Sequence, residues 1–318
     1  MHDLVHDLAQ SVASPADQTA VLVDCIDKDD VLGSRRLQFV LTSEGTSSTT
    51  QVLSDFMSMI YGDRLRVLIL TNFLFNAIKN TNISPLMKLK SLRVLILKDL
   101  VEELPDSIAD LKQLRYLDLS ESKIKALPES LNVLYNLQTL KLNSCFELEE
   151  IPCDITRKLI NIRHLGMRYT SCQTPKEISQ WKLLQTLSRF EVSKERGGGI
   201  SELRFLNHLR DDLEIVNLEN VENKEDAESA NLIGKQKIRE LAFTWSFDKC
   251  CPYINDDEVL EGLRPHSSLQ SLTISNFLGS KFPTWLKNDP HMLPNLVEIR
   301  LEFLINCVHL PTFGSSQS

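Results

Sequence analysis

The sequence predicts an α/β solenoid, a curved parallel β-sheet backed by irregular segments and short helices, with a short N-terminal helix in front. Two periodic patterns in phase predict it. The first is a leucine ladder, Leu65-Arg66-Val67-Leu68-Ile69-Leu70, repeated over Leu92 to Leu97, Leu114 to Leu119 and Leu137 to Leu142. This is the L-x-x-L-x-L core of a leucine-rich repeat, in which each unit supplies one short strand and cannot bury its apolar edge alone. The second is an apolar–proline pair that follows many ladders: Leu104-Pro105, Leu127-Pro128, Ile151-Pro152 and Leu310-Pro311, with Thr174-Pro175 and Phe282-Pro283 as variants. Proline lacks an N–H and fixes φ, which suits a chain leaving the sheet to cross the outer side.

In chain order, residues 1–13 predict an amphipathic helix with Leu4, Val5, Leu8 and Val12 on one face and Asp3, Asp7 and Gln10 opposite, stopped by Ser14-Pro15. His2 and His6 are four apart, the spacing of a helical metal pair, but no Glu lies between them and no third ligand is evident; they read as a polar helix face. The strands follow, each centred on an anchor residue: Leu37, Leu68, Leu95, Leu117, Leu140, Leu165, Leu187, Leu213, Leu241, Leu272 and Ile299. From Leu68 the intervals are 27, 22, 23, 25, 22, 26, 28, 31 and 27 residues, mostly in or near the range of roughly 20–29 for this repeat. The frame weakens at Leu213 and at Leu187, where Arg189 stands at an expected apolar position. Three residues after their prolines, Ile108, Leu131, Ile155, Ile178 and Leu286 should point back into the core. Ser43 to Gln51 reads as a polar loop. Two inserts read as helices: Asp226 to Ile233, with Ala227, Ala230 and Ile233 at apolar spacing, and Asp256 to Leu263, with Asn255 as N-cap, Glu258 three later and Pro265 as the stop. Gly197-Gly198-Gly199 reads as a flexible loop and lacks the Lys-Ser/Thr of a phosphate cradle.

Strand alternation sets what faces outward. The anchor and the residue two later point inward, so the positions one before, one after and three after line the concave sheet. The early strands thus present Val67, Ile69, Val94 and Ile96, apolar for an exposed sheet and suited to docking a neighbouring domain. The middle strands present Tyr116, Asp118, Thr139, Lys141, His164 and Arg168, with Lys98 nearby, a basic-aromatic centre suited to a partner. The late strands present Asp212, Glu214, Glu240, Glu298, Arg300 and Glu302. The alternative reading of this face is a solvated sheet with scattered charge.

Composition narrows the function classes. The 42% apolar content supports a continuous core, and a net charge of -8 argues against nonspecific nucleic-acid binding, which needs a basic footprint. The seven cysteines are scattered and carry no zinc spacing; with no signal peptide and no apolar run long enough to span a bilayer, the expectation is a cytoplasmic chain. The histidines His164, His208, His266, His291 and His309 are dispersed and no nucleophile elbow stands out, so no catalytic site is expected. Cys145 sits at the repeat's Asn/Cys position, where a small polar side chain bonds the adjacent loop backbone.

Met1-His2-Asp3-Leu4-Val5-His6-Asp7-Leu8-Ala9 resembles the MHD motif that closes the nucleotide-binding domain of plant intracellular disease-resistance proteins of the coiled-coil NB-ARC leucine-rich-repeat class. Leu213 to Val221 with Asp226-Ala227, and Val259 to His266 followed by Phe282-Pro283-Thr284-Trp285-Leu286, resemble the same class further along, so the resemblance covers essentially the whole chain. It implies a multidomain immune switch whose repeats restrain the nucleotide-binding domain and take part in sensing pathogen effectors. It places His2 near the phosphate of bound ADP and gives Asp3 a part in holding the closed arrangement. It also implies residues 1–33 as the end of the nucleotide-binding and winged-helix region and 34–318 as the repeat domain, with about eleven strands and no C-terminal cap.

No G-x-x-x-x-G-K-[ST] occurs, so this chain by itself is expected to hold no cofactor; ADP or ATP belongs to the full-length family. The expected partners are the NB-ARC domain of its own type and a pathogen effector or guarded host protein, without nucleic acid. The alternative is a free cytosolic scaffold of the same repeats that assembles signalling proteins.

Overall fold

A computed structural model describes residues 19–23, 35–41, 64–72, 82–246, 255–286, 292–304 and 306–307. The N-terminal helix expected over 1–13, with His2 and Asp3, the loop at 43–51 and Leu310-Pro311 lie outside the described residues. The chain divides into two compact units, Met1–Gln173 and Thr174–Ser318.

In the first unit seven parallel strands follow in chain order: β1 (Thr19–Val23), β2 (Arg36–Leu41), β3 (Val67–Asn72), β4 (Val94–Lys98), β5 (Tyr116–Asp118), β6 (Thr139–Lys141) and β7 (His164–Gly166). The register is the one the ladder dictates. Leu37 pairs with Leu68, Leu68 with Leu95, Leu95 with Leu117, Leu117 with Leu140 and Leu140 with Leu165, and all six are buried. β1, which carries no ladder, is an additional strand paired in parallel with β2.

Each chain segment leaves the sheet as the prolines require. Pro105, Pro128 and Pro152 hold φ between -71° and -56° with extended ψ, and each is followed by one short helical turn: 3-10 turns at Asp106–Asp110 and Glu129–Val133, and helix α1 at Cys153–Lys158. The proline carbonyl accepts the N–H of the third residue on, Ile108, Leu131 or Ile155, at 2.9–3.0 Å, and those three side chains are fully buried. Asp106, Glu129 and Asp154 sit in the first turns, where the helix dipole favours acid.

Side-chain hydrogen bonds stitch each repeat to the one before. Ser122 Oγ donates to the Leu97 carbonyl and Cys145 Sγ to the Leu119 carbonyl, both at 3.2 Å, and Thr170 Oγ1 to the Cys145 carbonyl at 2.9 Å. Cys145 thus plays the part its position predicts, and burial pushes its thiol up to about 11, which keeps it protonated and unreactive. On the other margin Asn136 Nδ2 reaches the Lys112 carbonyl and Asn161 Nδ2 the Tyr135 carbonyl. The residue four after the anchors Leu95, Leu117, Leu140 and Leu165 takes a left-handed conformation: Asp99, Glu121, Ser144 and Tyr169, with φ from 54° to 67°. This turn swings the backbone N–H of Asp99, Glu121 and Ser144 onto the next repeat, to the carbonyls of Ser120, Asn143 and Arg168.

The second unit holds β8 (Thr186–Leu187), β9 (Arg189–Glu191), β10 (Arg210–Val216), β11 (Lys237–Thr244), β12 (Ser271–Ser275) and β13 (Glu298–Glu302); β9 to β13 form a five-stranded parallel sheet in chain order. Leu213, Leu241, Leu272 and Ile299 share one row. The weak frame at Leu187 is a real slip. The chain bends at Ser188, and Phe190, not Arg189, takes the inward position, opposite Ile215. One anchor therefore yields two short strands.

The inserts form helices with shifted faces. α2 spans Lys224–Ser229, capped by Asn223, whose Oδ1 accepts the Asp226 N–H at 2.9 Å. Asn231 then turns left-handed at φ 51°, so Leu232 is buried in place of Ile233, which is half-exposed. α3 spans Asp256–Gly262; Asn255 stands at its N-cap but makes no capping bond, and its Nδ2 donates instead to the Glu222 carbonyl. The Trp285 indole N–H donates to the carbonyls of Leu260 and Glu261, fastening the Phe282–Leu286 segment to α3. The glycine run is tied down, with Gly197 and Gly198 carbonyls accepting the N–H groups of Glu177 and Ser193; at Gly198 a Cβ would stand 2.9 Å from the Ser193 Cβ.

Lys235 is the unexpected core residue. It closes the 3-10 turn Leu232–Gly234 at the position that Trp181 and Leu206 fill in the preceding turns of this unit, and it is 1% exposed. Its Nζ donates to the Leu203 and Leu206 carbonyls at 2.7 and 3.2 Å, a cation at the C-terminal end of a helical turn. Burial lowers its pKa from 10.5 to about 8. Between pH 8 and 10.5 the unfolded chain keeps a proton that the folded chain has released, so this group makes stability rise with pH across that window. Comparing Lys235→Met with the parent by urea unfolding should show the parent gaining about 3 kcal/mol relative to the variant from pH 7 to 10.5; parallel pH profiles would contradict the assignment.

Candidate interaction surface

The outward face of the first unit's sheet runs in three rows. One before the anchor stand Val67, Val94, Tyr116, Thr139 and His164; one after, Ile69, Ile96, Asp118, Lys141 and Gly166. Three after the anchor the residues are Thr71, Lys98, Ser120, Asn143 and Arg168.

The apolar end of this face is not open. Val67, Ile69, Val94, Ile96 and Tyr116 form one buried cluster, none more than 9% exposed. β-branched side chains held in register about 4.8 Å apart pack on one another along the rows. The exposed apolar strands expected from alternation are thus corrected to a closed cluster.

The middle of the face is an ordered polar group on that apolar floor. Tyr116 and Asp118, expected to be accessible, are each 2% exposed. Asp118 is held from two sides: Oδ1 accepts the Ser120 N–H at 3.0 Å, and Oδ2 lies 3.5 Å from the Tyr116 hydroxyl, which donates to it. Burial raises the Tyr116 pKa, and the Asp118 carboxylate adds to the effect, so the phenol stays protonated. Lys141 Nζ lies 5.6 Å from the Tyr116 ring centroid, within cation–π range. Burial lowers the Lys141 pKa and the like charge of Lys98 adds to that, while Asp118 opposes both. Lys98, His164 and Arg168 are half-buried at the surface. The structure therefore brings Tyr116, Asp118 and Lys141 together and sets Lys98 within electrostatic reach.

Three further residues shape this face. Ser120 and Asn143 complete the third row, and Asn143 Oδ1 accepts the Arg168 N–H at 2.9 Å. Gly166 leaves room for that amide, since a Cβ there would stand 3.1 Å from it. Tyr169 is 72% exposed although its backbone is left-handed at φ 56°, a conformation unfavourable for a bulky residue. No sequence pattern marks it, because the position is filled by unrelated residue types in successive repeats.

In the second unit the outward positions carry Asp212, Glu214, Glu240, Glu298, Arg300 and Glu302, an acidic set as alternation predicts. Arg300 is paired to Glu298 at 2.9 Å, and Ser275 Oγ donates to Glu302 at 3.0 Å. Among the described residues no three His, Cys, Asp or Glu side chains are grouped to hold a metal ion, and no helix is long and apolar enough to cross a membrane. What the first face offers chemically is charge and hydrogen-bond recognition.

Residues 200–318 match the family model described as R13L1/DRL21 LRRs. The chain is 32% identical to an Arabidopsis thaliana protein named for disease resistance, an alignment that takes in 100% of this chain and 23% of that one. It is 35% identical to disease resistance protein RGA2 of Solanum bulbocastanum over 72% of this chain and 24% of that one. The chain thus spans about a quarter of the length of these relatives. Among solved structures, the plant peptide hormone receptor RGFR1 in complex with RGF2 superposes at TM-score 0.53 and 18% identity, covering 90% of this chain and 49% of that one. The functional domain of InlJ from Listeria monocytogenes does so at 0.54 and 14%, covering 89% and 51%. These last two establish the leucine-rich-repeat fold alone.

The left-handed Tyr169 gives a stability test of this surface. Tyr169→Asn should raise the unfolding free energy by about 0.5–1 kcal/mol, since Asn tolerates that conformation and an exposed tyrosine has little packing to lose. A loss of stability in thermal unfolding would instead show that the ring is held by the fold.

Proposed function

Because the homologues of this chain are plant disease-resistance proteins, matched over most of its length, we propose that it is the recognition and restraining module of such an immune receptor and acts by protein–protein contact. The observation that carries this reading is the alignment of the whole chain, from its first residues, with a single disease-resistance protein. The fold supports it: the described residues give stacked repeats whose side chains bond backbone between repeats, and an ordered polar face without a metal cluster. In this reading the repeats hold a nucleotide-binding region of the same receptor inactive and contribute to sensing a pathogen effector or a guarded host protein in the cytoplasm. The nucleotide role that the resemblance gives His2 and Asp3 belongs to the full-length protein with ADP or ATP, and nothing in the module's own action passes through it.

Co-expression tests the proposal. In leaf tissue this chain should co-precipitate with the nucleotide-binding region of a family member and suppress the cell death that region triggers when expressed alone. Absence of both association and suppression would overturn the restraining role.

A further inference from the structure

We infer that the sheet face of the first unit holds a carboxylate-binding site made by Lys98, Ser120 and Lys141, and that its ligand is an acidic segment of a partner protein. The inference rests on the reading of this face as a recognition surface and adds the chemistry of what it recognises.

Four observations carry it. Lys98 and Ser120 occupy the same row on β4 and just past β5, since Ile96 pairs with Asp118 two residues earlier on each strand; Lys141 lies beside Asp118 on β6. The Ser120 side chain is 3% exposed, and its hydroxyl has no hydrogen-bond partner. Its backbone is fully used, the N–H by Asp118 and the carbonyl by Asp99, so the buried hydroxyl is the one polar group of Ser120 left unsatisfied. Asp118, the one acid among these face positions, is already engaged by the Ser120 N–H and the Tyr116 hydroxyl. Lys98 and Lys141 therefore stand on the strands either side of Ser120, whose hydroxyl is unsatisfied.

This set offers donors. Ammonium groups only donate, and a hydroxyl between them donates to an anion as readily. A carboxylate placed there would relieve the Lys98–Lys141 repulsion and satisfy Ser120. Arg168 stands at the end of the row that Lys98 and Ser120 share. Protein suits the site better than nucleic acid: two lysines are far short of the basic track that a phosphate backbone needs. Exposed Tyr169 and Phe146, in the loops after β7 and β6, supply apolar contact that an acidic peptide can use.

The test uses the full chain and a fluorescein-labelled glutamate-rich peptide, read by fluorescence anisotropy at low ionic strength. Saturable binding is expected, weakened about tenfold or more in the Lys98→Gln/Lys141→Gln double variant, a few-fold in Ser120→Ala, and unchanged in Lys112→Gln. Lys98→Arg/Lys141→Arg should retain most of the binding, and matched melting temperatures would show that the variants fold. No saturable binding, or equal binding by the double glutamine variant, overturns the site. Tighter binding of single-stranded oligouridylate than of the peptide, lost in the same variant, overturns the protein partner. Either failure leaves the cell-death assay of the restraining role to stand or fall separately.

Discussion

A repeat of this kind cannot close its own hydrogen bonds. Each strand has two to eight residues, flanked by neighbours whose backbone groups must be met in phase. An unpaired buried N–H or carbonyl is costly, so the chain folds only if each repeat presents its anchor opposite the next anchor. The rows Leu37 to Leu165 and Leu213 to Ile299 are that condition satisfied. The other features follow from it. Prolines turn the chain off the sheet, buried Ile108, Leu131 and Ile155 bring it back, and Ser122, Cys145 and Thr170 fasten one repeat to the previous one.

The same constraint explains what the sequence makes legible. Anchors and apolar–proline pairs are chemically uniform, so register and turn positions read directly from the chain. The left-handed residue after each strand does not, because Asp99, Glu121, Ser144 and Tyr169 share a backbone need and no side-chain chemistry. Lys235 hides for the opposite reason: a lysine stands where the repeat pattern wants an apolar residue, and two turn carbonyls make it tolerable. At Leu187 a single extra residue moves the inward position from Arg189 to Phe190, a slip that alternation flags only as a weak frame.

The face shows the same division. Alternation correctly names which side chains share the outward rows, but not how deeply they sit. Val67, Ile69, Val94, Ile96 and Tyr116 are outward by register and yet form one buried cluster. Asp118 is likewise drawn down by the Tyr116 hydroxyl and the Ser120 N–H, which leaves the lysines as the groups that define the surface. The electrostatic character of the centre is thus set less by the charges the sequence lists than by which of them the backbone has already engaged.

Hydrogen exchange on Leu117→Ala measures the stacking constraint most directly. Leu117 is fully buried between Leu95 and Leu140. If each repeat is stable only through its neighbours, the cavity should speed exchange at the amides of β4, β5 and β6 together. Faster exchange confined to β5, with β4 and β6 unchanged, would contradict the account.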